Sequence, residues 1–138
     1  MRNAEYYIIS GNNKMLLANY LGAVFDFTKA IMLNPDLPQP YTSRAAAKIE
    51  LHDYEGAIED CTEAIRLHFR MEMEMNDKND LYSQNKFNRT NPIYAKIYSM
   101  IGTAKLILGN FDAAMVDLNA ARLLGNKDAV DIIKTYNQ

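Results

Sequence analysis

The chain has 138 residues, with 15 Lys and Arg against 17 Asp and Glu, a formal net charge of −2, and a 49% hydrophobic content. That length suits one domain able to bury a core without metals or disulfides. The mildly acidic balance argues against a sequence-independent grip on nucleic acid, which requires clustered Lys and Arg. One cysteine, Cys61, forms no internal disulfide and supplies no thiolate zinc site alone. No apolar run is long enough to span a bilayer, and Met1-Arg2-Asn3-Ala4-Glu5 does not open a secretory signal. The expectation is a cytoplasmic protein that needs no membrane.

Taken in chain order, the elements repeat. Leu17-Ala18-Asn19-Tyr20-Leu21-Gly22-Ala23 returns as Leu51-His52-Asp53-Tyr54-Glu55-Gly56-Ala57, an offset of 34 residues. It returns again at Leu108-Gly109-Asn110-Phe111-Asp112-Ala113-Ala114, 57 residues further on, which is one period plus 23. Within each copy Ala23, Phe27 and Ala30, then Ala57, Cys61 and Ala64, then Ala114, Leu118 and Ala121 fall at three- and four-residue spacing, one stripe of a helix. Asn19, Asp53 and Asn110 precede the aromatic that opens each helix and are expected to cap it. Upstream, Tyr7, Tyr41 and Tyr98, then Gly11, Ala45 and Gly102, then Lys14, Lys48 and Lys105 align in the same register and mark a partner helix. The Gly/Ala column falls where two helices cross most tightly. Each unit therefore reads as helix, turn, helix, at about 4–37, 38–71 and 95–128.

These columns resemble the tetratricopeptide repeat family, through Ala23-Phe27-Ala30-Pro35, Ala57-Cys61-Ala64 and Ala114-Leu118-Ala121. The first helices depart from the family pattern. Tyr stands for Trp at Tyr7, Tyr41 and Tyr98, Lys replaces the later aromatic, and Phe69 and Asn126 stand where Pro is usual. The resemblance implies an all-α, right-handed solenoid of three hairpins, forming a single domain over 1–138. Residues 127–137, apolar at Ala129, Ile132, Ile133 and Tyr136, are expected to form a capping helix over the last repeat. The chain reads as a whole short solenoid.

Residues from about 70 to 94 break the period. Met71-Glu72-Met73-Glu74-Met75 either prolongs the preceding helix to about Asn76 or, by its strict alternation, forms a strand. The remainder reads as a polar loop ending at Thr90 or Asn91 as cap, with Pro92 in the first turn of the next helix. A tolerated surface loop, a lid over the neighbouring groove and a self-association element built on flexible Met side chains all remain open for this insertion.

No catalytic or metal constellation is evident, and no cofactor is expected. His52 and His68 read as surface residues, and Cys61, in the Phe27 and Leu118 column, reads as a buried hydrophobe. Asp77, Asn79 and Asp80 lack the Gly and Glu of a calcium loop, and Asn88-Arg89-Thr90 is a glycosylation sequon with no secretory context. The Lys14, Lys48, Lys105 and Asp26, Asp60, Asp117 columns read as solvated or loosely paired.

The resemblance places a concave groove along the first helix of each repeat. By position its candidates are Glu5, Ile8, Asn12, Met15 and Leu16; Gln39, Thr42, Ala46, Ile49 and Glu50; and Lys96, Ser99, Thr103, Leu106 and Ile107. Leu16 and Leu106 are equally readable as packing residues. Family members that hold the acidic tail of a chaperone use five polar donors. The matching positions here are Ile8, Asn12, Ser43, Lys96 and Met100, of which only Asn12 and Lys96 agree, so that clamp is not expected. The expected function is a non-enzymatic protein-interaction module or scaffold, holding a peptide or helix of another protein through apolar anchors and hydrogen bonds. The alternative is a structural protein that forms homo-oligomers through the 70–94 insertion or the C-terminal helix. RNA binding is disfavoured, since no basic stripe lines the groove.

Overall fold

The computed structural model describes residues 2–76 and 92–138. Among the described residues there are seven helices and no strand: α1 (Ala4–Leu16), α2 (Tyr20–Leu33), α3 (Pro38–Glu50), α4 (Tyr54–Asn76), α5 (Pro92–Ile107), α6 (Phe111–Leu123) and α7 (Lys127–Tyr136). The chain divides into two compact units, 1–67 and 68–138.

In the first unit α1 packs against α2, and α2 against α3. Its core gathers Ala23, Phe27 and Ala47, with Met15, Tyr20 and Val24 packed around them. Phe27 is fully buried, a burial that contributes about 2–3 kcal/mol. Gly11 is what makes room for it: a methyl group there would stand 2.5 Å from the Phe27 ring. In the second unit α5 packs against α6, and α6 against α7. Leu106, Ala114, Leu118, Ala121 and Ala129 form the core, with Tyr98, Met115, Ile132 and Ile133 against it. The last helix thus lays Ala129, Ile132 and Ile133 on the third hairpin, while Tyr136 stays exposed with its ring 6.2 Å from that of Phe111.

The turns inside the three hairpins are built alike. Ala18 (φ 56°), His52 (φ 63°) and Gly109 (φ 83°) all take the left-handed conformation that ends the first helix. The next amide closes the turn in each: Asn19 N–H to Lys14 O at 2.8 Å, Asp53 N–H to Lys48 O at 2.8 Å, Asn110 N–H to Lys105 O at 2.9 Å. The capping residues then diverge. Asn19 Oδ1 accepts from Gly22 N–H and Asp53 Oδ1 from Gly56 N–H, both at 3.1 Å. Asn110, also expected to cap, makes no side-chain cap bond. The reason lies three residues on. A Cβ at Gly22 would stand 2.5 Å from Asn19 Nδ2, and one at Gly56 would collide with the Asp53 carboxylate. In the third copy that place is Ala113, whose methyl group occupies the space the cap needs. Asn110 and Asn19 share the same backbone, ψ 72° and 71°, whereas Asn126, extended at ψ 115°, caps Ala129 without conflict.

Of the two readings for 71–75, the helix holds: α4 runs on to Asn76 because Phe69 replaces the proline that would stop it. Pro92 begins α5, as expected. The polar loop, its Thr90 or Asn91 cap, the Asp77, Asn79, Asp80 group and the Asn88 sequon lie outside the described residues.

Candidate functional site

The first helix of each hairpin has two faces with different duties. Toward its own partner helix it presents the small column, Gly11, Ala45 and Gly102, all buried. Another face carries the candidate stripe. In the first unit Glu5, Asn12, Gln39 and Glu50 are exposed, and Thr42, Ala46 and Ile49 are half-buried. Ile8 is buried and offers a ligand little surface. Leu16, readable as a packing residue, is exposed. Thr42 Oγ1 donates to Pro38 O at 3.5 Å. On α5, in the second unit, Lys96 is exposed, Ser99 and Thr103 are half-buried, and Leu106 is a packing residue. Ser43 and Met100, two of the chaperone-clamp positions, are half-buried.

Of the two readings of the charged columns, pairing between the helices holds. Lys14 Nζ lies 2.8 Å from Asp26, Lys48 Nζ 2.9 Å from Asp60, and Lys105 Nζ 2.7 Å from Asp117. Asp26 and Asp60 are buried, so each lysine neutralises a carboxylate that would otherwise be costly to desolvate. Ser10 Oγ donates a second bond to Asp26 at 2.6 Å. In the next repeat the Ser10 place is Arg44, which grips Asp60 with two bonds, Nε to Oδ2 at 2.8 Å and Nη2 to Oδ1 at 2.6 Å. Its third bond, Nη1 to Thr28 Oγ1 at 3.1 Å, reaches back to α2 and ties the second hairpin to the first. The bond to Asp60 holds the Arg44 guanidinium even more firmly protonated. Arg44 is not among the residues that the sequence analysis singled out. The signal was there in Arg44 and Lys48, one turn apart, both facing Asp60.

Two further residues differ in their surroundings. Cys61 is buried, as expected, and burial with the neighbouring Asp60 charge pushes its thiol up to about 12. His68 was expected at the surface but is half-buried, its ring 5.7 Å from that of Tyr94. The prolonged α4 brings both His68 and Phe69 against Tyr94 at the start of α5. Burial lowers the His68 pKa, opposed by the nearby Glu72. Among the described residues no three His, Cys, Asp or Glu side chains are placed to hold a metal ion, and no helix is long and apolar enough to cross a membrane.

No protein-family model matches the chain. It is 38% identical over 66 residues to dynein axonemal assembly factor 4 of Mus musculus, covering 48% of this chain and 16% of that protein. It is 26% identical over 115 residues to small glutamine-rich tetratricopeptide repeat-containing protein 2 of Mycosarcoma maydis, covering 83% of this chain and 26% of that one. The chain thus spans only a minor part of each relative. Among solved structures, the second TPR domain of human RPAP3 in complex with the HSP70 peptide SGPTIEEVD superposes with a TM-score of 0.74 at 26% identity, covering 98% of this chain and 95% of that one. In fold and in sequence the chain is similar to tetratricopeptide repeat domains.

Proposed function

We propose that the chain is a non-enzymatic, cytoplasmic protein-interaction module that holds a peptide or helix of another protein on the inner stripe of its first helices. The observation that carries this reading is the stripe on α1 and α3: of its ten candidate residues only Ile8 is buried. What remains accessible mixes uncharged polar groups (Asn12, Gln39, Thr42) with apolar ones (Ala46, Ile49) between two terminal carboxylates, Glu5 and Glu50. In the second unit, taken by itself, α5 carries Lys96, Ser99 and Thr103 at the corresponding repeat positions. Such a stripe recognises a ligand by apolar anchors and hydrogen bonds, with little help from charge. The RPAP3 domain, which is similar in sequence and fold, was solved with an acidic peptide, which supports peptide binding as the mode. The acidic tail itself suits this chain poorly. Two of the five donor positions are Ile8 and Met100, and a third, Ser43, is half-buried, so only Asn12 and Lys96 can serve a carboxylate.

The test is a titration of SGPTIEEVD against its neutral counterpart SGPTIQQVN at low and at high salt. The neutral peptide is expected to bind at least as tightly, with an affinity nearly independent of salt. An acidic peptide preferred by roughly tenfold or more, with binding that collapses at high salt, contradicts the reading. The variant pair Asn12→Ala and Thr42→Lys, both at accessible sites, is expected to weaken binding without loss of helicity.

A further inference from the structure

In the first unit α2 packs against both α1 and α3, and in the second α6 packs against both α5 and α7. The last helix is thus the counterpart of α3. Counting from the start of each helix fixes its rotation. The third residues, Pro40 and Ala129, are both buried. The seventh and tenth residues of α3 face α2: Arg44 bonds Thr28, and Ala47 lies in the core with Ala23 and Phe27. The seventh and tenth residues of α7 face α6 in the same way. Ile133 packs on the core of Ala114, Leu118 and Ala121, and Tyr136 lies beside the Phe111 ring. Both helices therefore present the same side to the helix before them.

That shared rotation places the remaining positions. The stripe candidates of α3, Gln39, Thr42 and Ala46, are its second, fifth and ninth residues. The same places on α7 hold Asp128, Asp131 and Thr135, all exposed. Thr135 Oγ1 donates to Asp131 O at 2.9 Å. Among the described residues neither Asp128 nor Asp131 is held in an ion pair. The lysines of α7, Lys127 and Lys134, are its first and eighth residues. Those places are buried in α3, as Pro38 and Ala45, and so lie off the stripe. Beside α7, the stripe of α5 offers one cation, Lys96, and the hydroxyls of Ser99 and Thr103. Carboxylates thus outnumber cations on the second unit's stripe. The same sign prevails on α1 and α3, where Glu5 and Glu50 face no basic candidate.

We propose that α7 is a ligand-contacting helix of the second unit, and that Asp128 and Asp131 select a peptide carrying Lys or Arg beside its apolar anchors. The inference rests on the peptide-binding reading above and names what that peptide carries. Exposed carboxylates add little to a neutral ligand, strengthen a basic one and repel an acidic one, most at low salt.

Titration of the full chain with SGPTIKKVN and with SGPTIQQVN at low salt tests the proposal. The basic peptide is expected to bind roughly fivefold tighter or more, an advantage that high salt removes. In Asp128→Asn/Asp131→Asn the two peptides are expected to bind alike. Asp112→Asn, an equal charge change at an exposed site on α6, is expected to keep the preference. Should the double variant lose helicity, Asp131→Asn alone decides, and is expected to reduce the preference in the same direction. Binding of SGPTIQQVN with no preference for SGPTIKKVN overturns this proposal and leaves the peptide-binding reading standing. A preference that survives the double variant, or that Asp112→Asn abolishes equally, overturns it too. Binding of neither peptide overturns the peptide-binding reading and this proposal with it.

Discussion

Gly11 on α1 and Phe27 on α2 are a matched pair: the ring occupies the space that a methyl group on Gly11 would need, 2.5 Å from its nearest carbon. The same exchange is written into the other hairpins. Gly102 faces Leu118, where an added Cβ would stand 2.6 Å from Cγ, while the middle repeat carries Ala45 in register with the smaller Cys61. Helix spacing in the first and third hairpins is thus set by the sum of two columns rather than by either one. Gly11→Ala is expected to destabilise by about 2 kcal/mol through overpacking. The double variant Gly11→Ala/Phe27→Cys, which copies the middle repeat, is expected to cost less than the sum of its singles by at least ~1 kcal/mol in urea denaturation.

The cap-and-glycine pairing makes an equally specific prediction. Gly→Ala inside a helix ordinarily stabilises by about 0.5–1 kcal/mol. At Gly56 the sign is expected to reverse, with a loss of about 1 kcal/mol, because the new methyl group displaces the Asp53 carboxylate from the Gly56 amide. Ala113→Gly is expected to be nearly neutral, the restored Asn110 cap offsetting the entropy of the added glycine. Thermal melts of the two variants read both signs directly.

Left-handed turn residues offer a third check. Ala18 and His52 hold positive φ where the third repeat uses Gly109. Ala18→Gly is expected to stabilise by about 0.5–1 kcal/mol through relief of backbone strain. Gly109→Ala is expected to cost about 1 kcal/mol, a purely backbone effect, since nothing lies within 4 Å of the added Cβ. Equilibrium unfolding in urea distinguishes the two.

Acid sensitivity should report on His68. Burial against Tyr94 lowers its pKa below the ordinary 6.5, with Glu72 opposing in part. The unfolded chain therefore takes up a proton at a higher pH than the folded chain. Stability is full above the unfolded pKa and falls as pH drops through 6.5 toward the depressed folded value. His68→Gln is expected to flatten that part of the stability–pH curve, as followed by melting temperature between pH 7 and 5. Cys61, its thiol pushed up to about 12 inside the core, is expected to resist alkylation at pH 8 until the chain is unfolded.

The architecture was legible in the sequence because repetition supplies its own control: Ala23, Ala57 and Ala114 in register identify a buried column that no single copy would establish. Helix starts at Tyr20, Tyr54, Pro92 and Phe111 followed from the same register and from proline chemistry. What the linear pattern hid depends on three-dimensional detail. Asn110 stands in a capping place like Asn19, and its failure to bond follows from the Ala113 methyl group and the ψ of the turn. The Lys and Asp columns read equally as solvated or as paired between helices, and only the structure shows that they close on one another across each hairpin. His68 moved inward only because Phe69 lets α4 continue. At the candidate site Asn12, Gln39 and Thr42 are accessible and Ile8 is buried, a distinction that family position does not make.

Backbone-amide shift mapping with the neutral peptide SGPTIQQVN tests the central claim most directly. The amides of Asn12, Thr42, Ala46 and Ile49 are expected to move together and saturably, while those of Leu21 and Phe25, exposed on α2, stay still. Shifts confined to α2, or none at all at saturating peptide, would contradict a ligand-binding inner stripe.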